Sequence, residues 1–290
     1  MHTLYWAGAL LLAGTVLRAS GAPRDMLVPT GWLAGELNKP DMIVFHVGSQ
    51  KDYDEGHIPG ARLLTLADIS ITGPGGLRLQ LPDVKALEDV LGGAGVSDRS
   101  RIVIYAGTDS VQSATRAWFT FDYLGLADRT SLLDGGLSLW RAEGRPVTTE
   151  KPVVKPARFT SKPRPELVVD ADWVHSHSGQ PGVRLLDART PEFYSGDNAG
   201  NMPRAGHVPG ARNIPYTTAL NEDRTLKPPE TLRELMNAQT GETIVTYCHI
   251  GQQATVLYFV ARYLGLEPRL YDGSFQDWSS RPELPVERKP

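Results

Sequence analysis

The chain is written twice. Glu55 to Ala61 reads EGHIPGA, and Ala205 to Ala211 answers with AGHVPGA. Arg101 to Tyr105 (RIVIY) is echoed by Thr243 to Tyr247 (TIVTY), and each is followed at a similar interval by Tyr-Leu-Gly, at Tyr123 to Gly125 and Tyr263 to Gly265. Leu133-Asp134-Gly135-Gly136, with Trp140 beyond it, matches Tyr271-Asp272-Gly273-Ser274 with Trp278. A repeat of this length is far longer than a solenoid unit, so it marks a duplicated domain. The chain's 290 residues suffice for two such domains, at roughly 100–200 residues each. The expected division is residues 24–148, a linker over 149–165, and 166–290. Within that linker Lys151 to Arg164 (KPVVKPARFTSKPR) is rich in Pro and Lys and carries no acid, which predicts an extended, solvated segment.

Each copy alternates short apolar, β-branched runs with segments of helical period. Ile43 to Val47, Val183 to Asp187 and the runs ending at Tyr105 and Tyr247 read as buried strands. Ala254 to Leu264 (ATVLYFVARYL) reads as a helix that stops at Gly265. Strand followed by helix, repeated, predicts an α/β fold in which each domain is a parallel sheet with helices on both faces. A net charge of -3 argues against a nucleic-acid partner. Leu4 to Leu17 is apolar, uncharged and too short for a comfortable membrane span; followed by Ala19 to Ala22, it reads as a secretory signal over residues 1–22. A periplasmic or secreted protein is therefore expected. A monomer is expected.

Cys248 is the only cysteine, so no intramolecular disulfide can form. It sits directly after a strand and before a helix, in Cys248-His249-Ile250-Gly251-Gln252-Gln253. Ligands of parallel α/β sheets bind beyond the carboxyl ends of the strands. A tight strand-to-helix turn leaves backbone N–H groups unpaired and adds the positive end of the helix, which together favour an anion at its centre. The expected anion is the thiolate of Cys248, its persulfide or an oxyanion of the substrate.

These residues resemble the tandem-domain rhodaneses, the thiosulfate and 3-mercaptopyruvate sulfurtransferases, over nearly everything from Met26 to Val286. Tyr53 to Ala61 is similar to the N-terminal signature of that family, and Tyr271 to Trp278 to its C-terminal one, with Asp277 where Glu is commoner. The resemblance implies two tandem rhodanese-like domains and a double displacement. Cys248 takes the outer sulfur of a small anionic donor as a persulfide and passes it to a thiophilic acceptor, whether cyanide, a small thiol or a protein. It implies no cofactor and no metal. In the first copy the position of Cys248 falls near Ala106, and His46-Val47-Gly48 stands where the second has Asp187-Ala188-Arg189. The first domain is thus expected to be inert and to close one wall of the cleft.

Arg189, just past a strand end, is the expected main cation for the donor, with Arg204 as a weaker second and His249, Ile250, Gly251, Gln252 and Gln253 as the loop around it. His57 and His207 occupy twin turns, one of them in the copy without a nucleophile, and are expected to be structural. His175 and His177 are too few to predict a metal. A cysteine-based phosphatase would need an arginine six positions after the cysteine, where this chain has Ala254. Family members preferring thiosulfate place cations just after the cysteine and those preferring mercaptopyruvate place small residues; His249 and Ile250 fit neither. Thiosulfate is the expected donor because His249 can become cationic and because mercaptopyruvate would be scarce outside the cytoplasm. The alternatives are 3-mercaptopyruvate and a non-catalytic carrier of sulfane sulfur.

Overall fold

The computed structural model describes residues 26–108, 110–239 and 241–288. The expected signal segment, residues 1–22, lies outside them. The first half runs β1 (Leu27–Val28), α1 (Thr30–Glu36), β2 (Met42–Val47), α2 (Gln50–Glu55), β3 (Arg62–Leu64), α3 (Val84–Gly93), β4 (Arg101–Ala106), α4 (Val111–Tyr123), β5 (Thr130–Leu133) and α5 (Gly136–Ala142). The second runs β6 (Val168–Val169), α6 (Ala171–His177), β7 (Val183–Asp187), α7 (Pro191–Ser195), β8 (Arg212–Asn213), α8 (Pro229–Met236), β9 (Thr243–Tyr247), α9 (Ala254–Tyr263), β10 (Pro268–Tyr271) and α10 (Ser274–Ser280). Each half forms one five-stranded sheet, in the orders β1-β5-β4-β2-β3 and β6-β10-β9-β7-β8. Every strand pairing within the two sheets is parallel. The central strands β4 and β9 hold the same place in the two orders.

Alternation along those central strands sorts the core into layers. Ile102, Ile104 and Ala106 face one cluster, which also takes in Ile244 and Cys248 of β9 and the loop after it. Val103 and Tyr105 turn to an outer layer of the first domain, and Val245 and Tyr247 to an outer layer of the second. The shared middle cluster is closed by α4 against α9, with Trp118 edge-on to Phe259 at 4.9 Å, Phe119 edge-on to Tyr258 at 4.9 Å, and Thr115 Oγ1 2.8 Å from Thr255 Oγ1. The two domains therefore share a core rather than touching at a wet interface.

The repeat motifs are hydrogen-bond frames built twice. Tyr105 Oη accepts from the Ile58 N–H at 3.0 Å, and Tyr247 Oη from the Val208 N–H at 3.1 Å. His57 stacks on Tyr53 and His207 on Tyr194, each with centroids 3.7 Å apart, and each Nδ1 bonds the carbonyl of the tyrosine beneath it. Both histidines are thus held as parts of the turn. Each domain also docks a loop on the other, with Leu226 N–H donating to Asp134 and Leu81 N–H to Asp272.

Residues 151–164 are extended, but stapled rather than loose. Ala157 N–H donates to Gly92 O, Lys162 N–H to Leu124 O and Arg164 N–H to Tyr123 O. Prolines remove the segment's own ladder, and four of its N–H groups, those three and Thr160 N–H on Asp98, pair with the first domain instead.

Candidate active site

Beyond the carboxyl end of β9 the chain turns through Cys248 to Gln253 into α9. No side chain caps α9, whose N-cap is Gln253. The backbone N–H groups of His249, Ile250, Gly251, Gln252 and Gln253 find no acceptor among the described residues. Five consecutive N–H groups without a protein acceptor, at the start of a helix, are free to cradle an anion. The carbonyl side of the loop is fixed: Phe275 N–H donates to Cys248 O, Gln276 N–H to His249 O and Arg116 to Gly251 O.

Gly251 has φ +79, and a Cβ there would sit 2.8 Å from Asp272 O. The turn tolerates no other residue without moving. Ser274 has φ +52, strained for a residue with a side chain, where the first copy has Gly136 at φ +56. Its hydroxyl accepts from the Cys248 N–H at 3.2 Å and donates to Tyr271 O. The one sequence signal for this role was the exchange of Gly136 for Ser274 between otherwise matching motifs.

Cys248 is fully buried from bulk solvent, yet it belongs to the wall of a cavity of about 300 Å³. His249, Ile250, Gln252 and Gln253 line the same cavity, and Gly251 is not part of its wall. Phe193, Gly200, Asn201 and Met202 line it as well. Arg78 and Gln112 complete it from the first domain, which closes one wall as the sequence suggested; neither residue was anticipated.

The two expected cations lie elsewhere. Arg189 is buried and locked by its own neighbour, with Nε and Nη2 on the Asp187 carboxylate and Nη2 on Gly206 O at 2.7 Å. Its guanidinium lies over the Phe275 ring at 4.1 Å. It is within electrostatic reach of Cys248 but is not part of the cavity wall, because the carboxylate two residues earlier claims its fork first. Arg204 is a clamp on α10 and the chain after it, donating to the carbonyls of Trp278, Ser279, Arg281 and Leu284.

His249 meets Phe193 edge-on at 4.5 Å. Burial first, then the positive charges of Arg189 and Arg78, push its pKa down to about 4. It is neutral at physiological pH, so the expectation that it would supply positive charge to a donor fails on desolvation.

The rhodanese-like domain model matches residues 30–143 and again 170–281. A probable 3-mercaptopyruvate sulfurtransferase of Pseudomonas aeruginosa is 34% identical over 270 residues, covering 88% of this chain and 95% of the relative. A putative thiosulfate sulfurtransferase of Synechococcus elongatus is 33% identical over 288 residues, covering 94% and 88%. The wild-type structure of EanB superposes with a TM-score of 0.81 at 22% identity over 91% of this chain and 69% of that one, a likeness of fold. The chain belongs to the rhodanese-like family as two domains in tandem, and it is a sulfurtransferase.

Proposed function

We propose that the chain takes the sulfane sulfur of thiosulfate onto Cys248 and delivers it to a thiophilic acceptor. The Cys248 thiolate attacks the outer sulfur of thiosulfate. An S–S bond forms to Cys248 as the S–S bond of thiosulfate breaks, and sulfite leaves with the electron pair. The acceptor, cyanide or a thiolate, then attacks the outer sulfur of the persulfide; the new bond forms as the Cys248 S–S bond breaks and the thiolate returns. The donor, the persulfide and the leaving sulfite are all anions.

The observation that carries this reading is the acceptor-free run of N–H groups beside the one cysteine, in a cavity whose lining includes no acidic side chain among the described residues. Such fixed dipoles stabilise charge without reorganising during the reaction. Thiosulfate, with two negative charges, gains more from them than the singly charged 3-mercaptopyruvate. Steady-state assays with each donor at saturating acceptor separate the two, and kcat/KM should be higher for thiosulfate. A higher value for 3-mercaptopyruvate would reassign the donor. Turnover with neither would leave a non-catalytic carrier.

A further inference from the structure

We infer that the non-catalytic domain supplies the donor's cation, Arg78, and so makes the first copy a determinant of substrate choice; this rests on the proposed reading of Cys248. Three observations converge on it. Among the described residues Arg78 is the only Lys or Arg on the cavity wall that holds Cys248. Its side chain is exposed, and no hydrogen bond or ion pair engages its guanidinium among the described residues, whereas Arg189, Arg204 and Arg116 are all consumed by carboxylates or carbonyls.

The backbone that carries Arg78 is held at the catalytic domain by an independent set of bonds. Arg78 N–H donates to Gln276 Oε1 at 3.0 Å, Gln276 Nε2 donates to Gly76 O at 3.1 Å, and Arg116 holds Leu79 O. Gln276 N–H in turn binds His249 O in the cysteine loop. The base of the arginine is therefore fixed relative to Cys248 while its guanidinium is left free. A planar fork with free N–H groups suits the terminal oxygens of a sulfonate-like donor, which lie on the far side of the sulfur being transferred. In-line attack by Cys248 on the outer sulfur leaves those oxygens on the side away from the thiolate, where a free guanidinium on the cavity wall can meet them.

The test is Arg78→Gln in the full-length enzyme, with thiosulfate as donor. KM for thiosulfate should rise about tenfold or more, as expected for loss of a charge-assisted contact, and Arg78→Lys should recover part of it. Rising salt should weaken kcat/KM less in Arg78→Gln than in the wild type. Alkylation of the sulfur-free thiol by neutral iodoacetamide should stay within about twofold, since no donor charge is involved. If KM and its salt dependence are unchanged while the wild type turns over thiosulfate, the role of Arg78 is overturned and the reading of Cys248 stands. If the wild type takes no sulfur from thiosulfate at all, both fall.

Discussion

His249 shows how burial decides what a residue beside a nucleophile can do. A histidine next to a cysteine invites an acid or cationic role, but desolvation and two arginines hold it at about 4 against an ordinary 6.5. The sign of the consequence follows from linkage. Between those values the unfolded chain binds a proton at this residue that the folded one does not, so stability falls as pH drops from 6.5 toward 4. His46, buried against Tyr105, is likewise pushed to about 4 and adds in the same direction. His249→Gln should therefore lose less melting temperature than the wild type on going from about pH 8 to about pH 5. Equal losses in the two proteins would mean that His249 titrates normally. The sequence could place His249 in the loop, because position along the chain fixes that. It could not reveal the charge state, which depends on Arg78, remote in sequence, and on the depth of the cavity.

At the scale of elements, the central strands β2, β4, β7 and β9, the loop and α9 were legible. Ala254 to Leu264 was expected as a helix and Ala254–Tyr263 is one, with Leu264 as its C-cap. Val183 to Asp187 is strand β7 as expected, because buried parallel strands announce themselves as apolar β-branched runs. What the pattern could not give is which partner each polar side chain finds. Arg189 follows a strand end, where both a substrate and Asp187 are within reach, and only the fold shows that the carboxylate wins.

Arg116 is the converse. It reads as one more polar residue on the apolar α4, but in the fold it is fully buried, bonded to Asp272, Gly251 O and Leu79 O. It ties the first domain to the cysteine loop. Arg116→Ala would leave the Asp272 carboxylate with its buried charge uncompensated and should cost about 3–5 kcal/mol of unfolding free energy in urea titration. A loss below about 1 kcal/mol would show that solvent or another group replaces it.

At the scale of the whole molecule, the duplication has been put to two uses. One copy keeps the cysteine, the acceptor-free N–H groups and the strained Ser274, while the other keeps the frame and contributes a wall. The common core across α4 and α9 makes that division possible, since neither domain can move without exposing the residues that join them. The duplication itself was legible from the repeat. Its consequence, a cavity built from residues of both halves, was legible only as a general expectation that the first domain would close the cleft. The residues on that wall, Arg78 and Gln112, belong to no repeat motif and meet Cys248 solely through domain docking.

The central claim is that Cys248 carries the sulfur. Intact mass of the full-length protein after incubation with thiosulfate and removal of the excess tests it directly, since no second cysteine can blur the answer. We expect the wild type to gain the mass of one sulfur atom and to lose it on adding cyanide, and Cys248→Ser to gain nothing while keeping its fold. A wild type that gains no sulfur, or a Cys248→Ser variant that still gains one, would contradict the assignment.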